Sequence, residues 1–387
     1  MKKTLLVTAI AGAIGASAAA QAATVYNQDG TQLDLYGNLQ IAYASQKDNE
    51  GDTRDEILDN GSTFGVTGQH VINPGLTGYF KAEWEFNADE AKGSNNEDGI
   101  SRSDQAYLGL KGNFGDARLG SWDRLMDDWI QDPVSNNEYF DLTDGPVTGD
   151  DGANTQNEDN DNEGDRIQYM SPSFGGLQFA VGSQYKGDGE NENVSDSGNA
   201  SFYGGLKYTV GGFSVAGVYD NLDNLEGDVT GDTYLARFDE AGNVIDEGGG
   251  KFDAGEQYGV TFQYTIDALR LALKYERYES GDETYVQSEN RYGLGARYGY
   301  GYGDIYGAYQ YVDVGGSDFG DTVGDLASDG DLPSDTNEAR DSDSRNEIVL
   351  GATYDISSAM YTFIEGAWYD DQNDRGDGVA VGAVYAF

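Results

Sequence analysis

The sequence contains no cysteine, one histidine and only five prolines among 387 residues. Without cysteine the chain can form neither disulfides nor thiolate metal sites, so a secreted protein of this length must be stabilised by other means. Basic residues are also scarce, since 23 Lys and Arg stand against 69 Asp and Glu and give a formal net charge of −46. Electrostatic attraction to nucleic acid or to an anionic lipid surface is therefore excluded.

Long apolar runs are missing as well, apart from one at the start of the chain. Residues 5–20 follow Lys2 and Lys3 and precede the small-x-small sequence Ala20-Gln21-Ala22. This pattern predicts a cleaved signal peptide over residues 1–22 and a mature chain over residues 23–387. After cleavage no stretch of about 20 apolar residues remains to cross a bilayer as a helix.

Aromatic residues are abundant, with 28 Tyr, 15 Phe and 4 Trp. A solvated, disordered acidic chain would have few of them, so the aromatic and acidic residues must be segregated by a fold. The last nine residues, 379–387, alternate apolar and other positions and end in Phe387. Such a period of two is typical of a strand with one apolar face.

Alternating segments of this kind recur along the mature chain, separated in strict alternation by short turns and by long acidic loops. This pattern predicts an all-β fold, a transmembrane antiparallel β-barrel with short periplasmic turns and long extracellular loops. About sixteen strands are predicted, a number that leaves an aqueous lumen. The predicted segments are residues 32–44, 62–72, 76–87, 104–112, 116–122, 166–171, 177–186, 201–210, 213–221, 256–266, 269–279, 290–298, 304–312, 345–354, 360–370 and 378–387.

The two faces of the predicted strands differ in polarity. In residues 258–266 the apolar side chains alternate with Gly, Thr and Gln, so the polar face is expected to line water. On the following segments the basic residues oppose the apolar set, which predicts an inward position for Arg270, Lys274, Arg291 and Arg297. A soluble β-sandwich would show the same alternation with the apolar side chains inside and the polar side chains outside. Such a sandwich requires neither alternating loop lengths nor aromatic residues at so many strand ends. Residues 360–370 have no purely apolar face, and their orientation stays open.

Two stretches carry a resemblance to a known family. Residues 23–37, ATVYNQDGTQLDLYG, and residues 166–177, RIQYMSPSFGGL, resemble the general trimeric porins of Gram-negative bacteria, and Phe387 is similar to the terminal phenylalanine of that family. The resemblance implies a sixteen-stranded homotrimer in the outer membrane, in contact with lipid and lipopolysaccharide. It also implies one pore per subunit and a C-terminal strand recognised by the barrel-assembly machinery.

The resemblance further implies that the third long loop, residues 123–165, folds into the barrel as a constriction. Its first half supplies the candidate acidic residues Asp127, Asp128, Asp132, Glu138 and Asp141. The family places basic residues on the facing wall, but here the corresponding positions hold Asn38, Thr63 and Asp104. The remaining inward basic candidates are Lys81, Arg118 and Arg166.

A pore with a weakened basic wall is expected to prefer cations. We therefore expect a passive diffusion channel for small hydrophilic solutes and ions rather than an enzyme. The alternatives are a substrate-selective porin for sugars or anions and a surface receptor or adhesin that uses the long loops. An aromatic track would favour the sugar channel, and Tyr36 and Tyr79 keep that alternative open.

Two local patterns suggest other chemistry only weakly. Asp159, Asp161 and Glu163 resemble the start of a calcium loop, but Met170 occupies the twelfth position, where an EF-hand requires Glu. Weak binding of Ca²⁺ or Mg²⁺ by the acidic loops is the one cofactor hypothesis that remains. His70 is predicted to face lipid or the membrane interface near a periplasmic turn and has no nucleophile motif beside it, so no catalytic site is expected.

Overall fold

A computed structural model describes residues 22–48, 51–89, 100–142, 164–185, 194–195, 200–223, 227–229, 237–238, 244–246, 251–252, 255–279, 288–315, 344–370 and 374–387. The main sheet of the described residues has eighteen strands, of which sixteen antiparallel strands form the wall of the barrel. They are β1 (Thr31–Lys47), β2 (Thr63–Asn73), β3 (Leu76–Phe86), β4 (Ile100–Gly112), β5 (Gly115–Ser121), β6 (Arg166–Met170), β7 (Leu177–Gln184), β8 (Ser201–Val210), β9 (Phe213–Asp220), β10 (Glu256–Ile266), β11 (Leu269–Glu279), β12 (Ser288–Gly299), β13 (Asp304–Gly315), β14 (Ser344–Ser357), β15 (Met360–Tyr369) and β16 (Gly378–Ala386).

The sheet closes into a barrel because β1 pairs with β2 on one side and with β16 on the other. At the seam, Gly37 and Phe387 exchange two backbone hydrogen bonds of 3.0 Å. Gly37 is required here, because a Cβ at this position would lie 2.6 Å from the carbonyl oxygen of Thr63 and 2.7 Å from the Phe387 ring. Closure pairs the last residue of the chain and leaves no free edge along the wall.

Two short strands accompany β1 and were not predicted. Ala23–Gln28 pairs with the first part of β1, and Thr53–Asp59 pairs with its last part. The second pairing explains why β1 runs to Lys47, three residues beyond its predicted end. The sequence 53–59 carries four charges in seven residues, which hid its extended conformation from a search for apolar alternation.

The predicted short connections are tight turns in the structure. Asn73-Pro74-Gly75, Asn113-Phe114-Gly115, Gly211-Gly212 and Asp267-Ala268 join neighbouring strands at one end of the barrel. Gly211 and Asp267 have φ values of 57° and 51°, in the left-handed region that Gly tolerates best and that Asp and Asn adopt more readily than other side chains. We refer to this end as the short-turn end and to the other as the long-loop end.

The two faces of the wall also follow the prediction. On β10, Val260, Phe262 and Tyr264 are exposed on the outside, whereas Thr261 between them is buried inside. On β15, whose orientation the sequence left open, Ile364 and Trp368 point outward and the intervening carboxylate of Glu365 points inward, 2 % exposed. The predicted all-β barrel of about sixteen strands is therefore confirmed.

Among the described residues, no helix has both the length and the apolar character needed to span a bilayer. The predicted signal peptide up to residue 21, residues 143–163 of the third loop and most of the other long loops lie outside the described residues.

Candidate functional site

The third loop enters the barrel directly after β5. Its root is fixed by a bidentate ion pair, in which Nε and Nη2 of Arg124 both lie 2.9 Å from the Asp127 carboxylate. Arg166 on β6 donates to the carbonyl oxygen of Trp122 at 3.0 Å and is 3 % exposed. Two predicted constriction residues, Asp127 and Arg166, thus hold the root of the loop in place.

A π-helical turn over Asp127–Gln131 and an α-helical turn over Asp132–Ser135 then pack against the inner wall. Glycines make room for these turns. A Cβ on Gly259 of β10 would lie 2.6 Å from Ile130, and one on Gly295 of β12 would lie 2.8 Å from the carbonyl oxygen of Val134. Because glycine has no side chain, the loop can pack closely against the wall at these two positions.

Behind these turns lies a buried ionic cluster on β11 and β12. Gln131 donates to Glu276 at 3.0 Å, and Arg291 joins Glu276 to Glu289 with contacts of 2.9 and 2.7 Å. Lys274 lies 3.4 Å from Glu276. The predicted wall residues Lys274 and Arg291 therefore stand behind the loop, and their charges are compensated there.

Residues 138–140 of the loop, which we call its tip, are held by β12, β13 and β15. Glu365 accepts the backbone N–H groups of Glu138, Tyr139 and Phe140 at 2.9, 2.9 and 2.6 Å, and the hydroxyl of Tyr306 at 2.7 Å. These are charge-assisted hydrogen bonds in a buried position. Sequence reasoning did not identify Glu365; the one signal was a carboxylate in the middle of a strand without a purely apolar face.

Glu138 itself is also anchored. Its carboxylate lies 3.1 Å from Arg297 and accepts the Tyr361 hydroxyl at 2.8 Å. Burial raises its pKa even though Arg297 opposes the shift. Asn60, which precedes β2, donates to the Glu138 carbonyl at 2.8 Å. The described part of the loop therefore runs inside the barrel along the wall from β5 to β15, and the family resemblance implied a loop folded into the barrel.

Three acidic residues of the loop, Asp128, Asp132 and Asp141, remain exposed to the lumen. Enclosure by the barrel, together with the carboxylates of Asp123 and Asp127, raises the pKa of Asp128 to about 7. The exposed face of the loop is thus acidic, and part of its charge titrates near neutral pH.

Opposite the loop, the wall of β1 to β4 is polar but only weakly basic. Asn38 donates to Thr63 at 2.9 Å. Lys81 lies 2.9 Å from Glu83, and Asp104 stands next to the same glutamate. The positions at which the sequence departs from the family pattern thus form a hydrogen-bonded, mixed-charge wall.

Cationic and aromatic side chains alternate on β3, β4 and β5 and on the residue that follows β5. We call this group the cation–aromatic ladder; its members are Tyr79, Lys111, Tyr107, Arg118 and Trp122. The ring centroids of Tyr79 and Tyr107 are 6.2 Å apart, and those of Tyr107 and Trp122 are 5.8 Å apart. Lys111 lies 5.0 Å from the Tyr79 ring, and Arg118 lies 5.2 Å from Tyr107 and 4.3 Å from Trp122. Aromatic faces stabilise both cations, and Arg118 also interacts electrostatically with the Asp128 carboxylate of the loop.

The other predicted residues have simpler surroundings. Arg270 is half-buried on the inner face of β11, and Phe387 closes the barrel seam. His70 is exposed and pairs with the Thr31 hydroxyl at 2.7 Å. Asp159, Asp161 and Glu163 lie outside the described residues, among which no group of three or more His, Asp or Glu side chains is arranged to hold a metal.

Comparison with known proteins agrees with this architecture. The family model described as Gram-negative porin matches residues 7–386. A protein named monosaccharide porin from a Halomonas species is 56 % identical over the full length of both chains.

Among solved structures, Salmonella typhi OmpF in complex with daunomycin has a TM-score of 0.66 and 22 % identity, covering 94 % of this chain and all of that one. The trimer form of Vibrio cholerae OmpT has a TM-score of 0.58 and 16 % identity, covering 93 % of this chain and all of that one. The family match spans nearly the whole sequence, so this chain belongs to the Gram-negative porins, the channel-forming barrels of the outer membrane, and is not an enzyme.

Proposed function

We propose that this porin is a passive diffusion channel for small hydrophilic solutes that prefers cations over anions. The observation that supports the preference is the acidic face of the third loop, where Asp128, Asp132 and Asp141 are exposed to the lumen. On the facing wall, Lys81 is compensated by Glu83. Like charges about 7 Å apart interact by roughly 2 kcal/mol at an effective dielectric constant near 20. An energy of this size biases the entry of small ions without blocking them.

Planar-bilayer recording under a KCl gradient tests this proposal. We expect stepwise conductance and a reversal potential with the same sign as the equilibrium potential of potassium. The preference should weaken as the salt concentration rises, because the screening length is about 8 Å at physiological ionic strength. Absence of conductance steps would contradict the channel itself, and a reversal potential set by chloride would contradict the cation preference.

The preference should also depend on pH. Because the pKa of Asp128 is raised to about 7, its carboxylate is ionised above that pH and protonated below it. Acidification from pH 8 to pH 6 should therefore move the reversal potential toward zero, in a range where a solvated Asp would stay fully charged. Asp128→Asn should remove this pH-dependent component, and an unchanged pH profile in that variant would show that another group is responsible.

A second candidate function is passage of monosaccharides. The cation–aromatic ladder favours it, because aromatic rings and hydrogen-bond donors together suit the apolar faces and hydroxyl groups of a sugar ring. The name of the Halomonas relative points the same way. Swelling of proteoliposomes in isosmotic glucose and in a trisaccharide tests it: rapid swelling with glucose alone supports the proposal, and equal rates would contradict it.

We also propose that the chain forms a homotrimer, since the Vibrio cholerae OmpT structure that shares its fold is a trimer form of that protein. Chemical cross-linking of the detergent-solubilised protein should give monomer, dimer and trimer bands on a gel and no larger species. A monomer band alone would contradict this proposal.

A further inference from the structure

Arg118 differs from four other arginines of the barrel interior in how its charge is compensated. Arg124, Arg291, Arg297 and Arg345 each lie within 3.1 Å of a carboxylate oxygen. Arg118 forms no ion pair with any described residue, and its guanidinium instead lies over the rings of Trp122 and Tyr107. Stacked rings stabilise a cation without occupying its N–H donors.

Arg118 has no hydrogen-bond acceptor among the described residues. Its Nε is buried and has no acceptor, and its terminal nitrogens donate to none of the described residues. The side chain is half-buried on the inner face of β5, and its terminal nitrogens are not among the buried atoms that lack a partner. A planar guanidinium held in one orientation and lacking an acceptor is suited to bidentate binding of a carboxylate.

The rest of the ladder adds features that suit the remainder of such a solute. Lys111 is exposed next to the Tyr79 ring and provides a second positive charge toward the short-turn end. The Tyr79 hydroxyl donates to Asp116 at 2.5 Å, which leaves that carboxylate with further acceptor sites for solute hydroxyl groups. The ladder thus combines two cations, flat apolar surfaces and a hydrogen-bond acceptor.

We propose that the cation–aromatic ladder is a binding site for sugar acids, with Arg118 as the residue that recognises the carboxylate. The proposal rests on the proposed passage of small sugars and names a narrower class of solute for the same wall. It is compatible with a preference for small cations, because that preference arises from the acidic loop, whereas the ladder acts on a solute that has already entered the lumen.

The test compares glucuronate, glucose and acetate by the current noise that each produces in single channels at low salt. We expect the half-saturating concentration of glucuronate to be about tenfold below that of glucose, since a charge-assisted hydrogen bond contributes at least a factor of ten. Acetate should bind more weakly than glucuronate, because it lacks the ring and the hydroxyl groups. Acetate binding as tight as that of glucuronate would contradict recognition of a sugar acid.

Arg118→Gln should abolish the difference between glucuronate and glucose. Arg118→Lys should restore only part of it, because an ammonium keeps the charge but not the planar pair of donors. Arg270→Gln is the matched control, since Arg270 is another inward arginine without an ion pair to described residues and no described ring is stacked on it. This control should keep the tenfold difference.

The outcomes separate this inference from the proposed function. A wild-type channel that conducts and passes glucose but binds glucuronate no better overturns the sugar-acid site alone. A difference that persists in Arg118→Gln overturns the role of Arg118. A protein without conductance steps, or one that excludes glucose, would instead contradict the proposed function on which the inference rests.

Discussion

Replacement of Glu365 by Ala is expected to release the tip of the third loop and to raise both the conductance and the current noise of single channels. The carboxylate accepts three backbone N–H groups of the loop and the hydroxyl of Tyr306. Hydrogen bonds to charged groups each stabilise by roughly 1.5–3 kcal/mol. Loss of four such bonds should therefore make a displaced tip energetically accessible.

The loop would not detach completely in this variant. Its root stays fixed by Arg124 and Asp127, and the helical turns stay packed on Gly259 and Gly295. Glu365→Gln should give an intermediate result, because an amide keeps one acceptor oxygen and loses the charge. Thr362→Val, on the same strand but facing outward, is the control that should conduct as the wild type. Unchanged conductance in Glu365→Ala would show that the remaining contacts suffice to hold the tip.

The second large effect is expected from the double substitution Asp128→Asn and Asp132→Asn. Both side chains are exposed on the lumen face of the loop, so at pH 8, where Asp128 is ionised, the two substitutions delete two negative charges where ions pass. The reversal potential under a KCl gradient should move strongly toward the anion side, since each charge contributes on the order of 1–2 kcal/mol to the entry of a small ion. The conductance should change less, because Asn has nearly the shape of Asp.

Asp127→Asn is the informative comparison. Asp127 is bound to Arg124, so its substitution should weaken a buried ion pair at the root of the loop. For Asp127→Asn we expect increased current noise or a lower unfolding temperature, rather than a shift in ion selectivity alone. If the two exposed aspartates could be replaced with no change in reversal potential, the acidic face of the loop would not be the source of the preference.

Much of the fold could be predicted from sequence because the physical rules behind it are local. A strand between lipid and water must alternate, and Phe262 and Thr261 follow that rule in adjacent positions. Tight turns likewise need residues such as Gly211 or Asp267 that tolerate a positive φ. The strand count and the short-turn end both follow from features of this kind.

The constriction could be predicted only in part. Its acidic residues were found by their position after the fifth strand, but sequence could not separate the carboxylates that face the lumen from those that hold the loop. Asp127 and Asp128 are neighbours in the chain, yet the first is bound to Arg124 and the second is exposed. That difference depends on which way a helical turn faces the wall, and no local rule gives it.

The sequence by itself thus determined a barrel of about sixteen strands with a polar interior, because alternation and turn chemistry are properties of neighbouring residues. Only the tertiary structure decided which charges act in the pore. Arg166 and Arg118 are similar candidates in the sequence, but the first lies buried against the Trp122 carbonyl and the second lies over the Trp122 ring with its donors open. These roles are set by contacts between residues far apart in the chain, which form only when the barrel closes and the third loop folds into it.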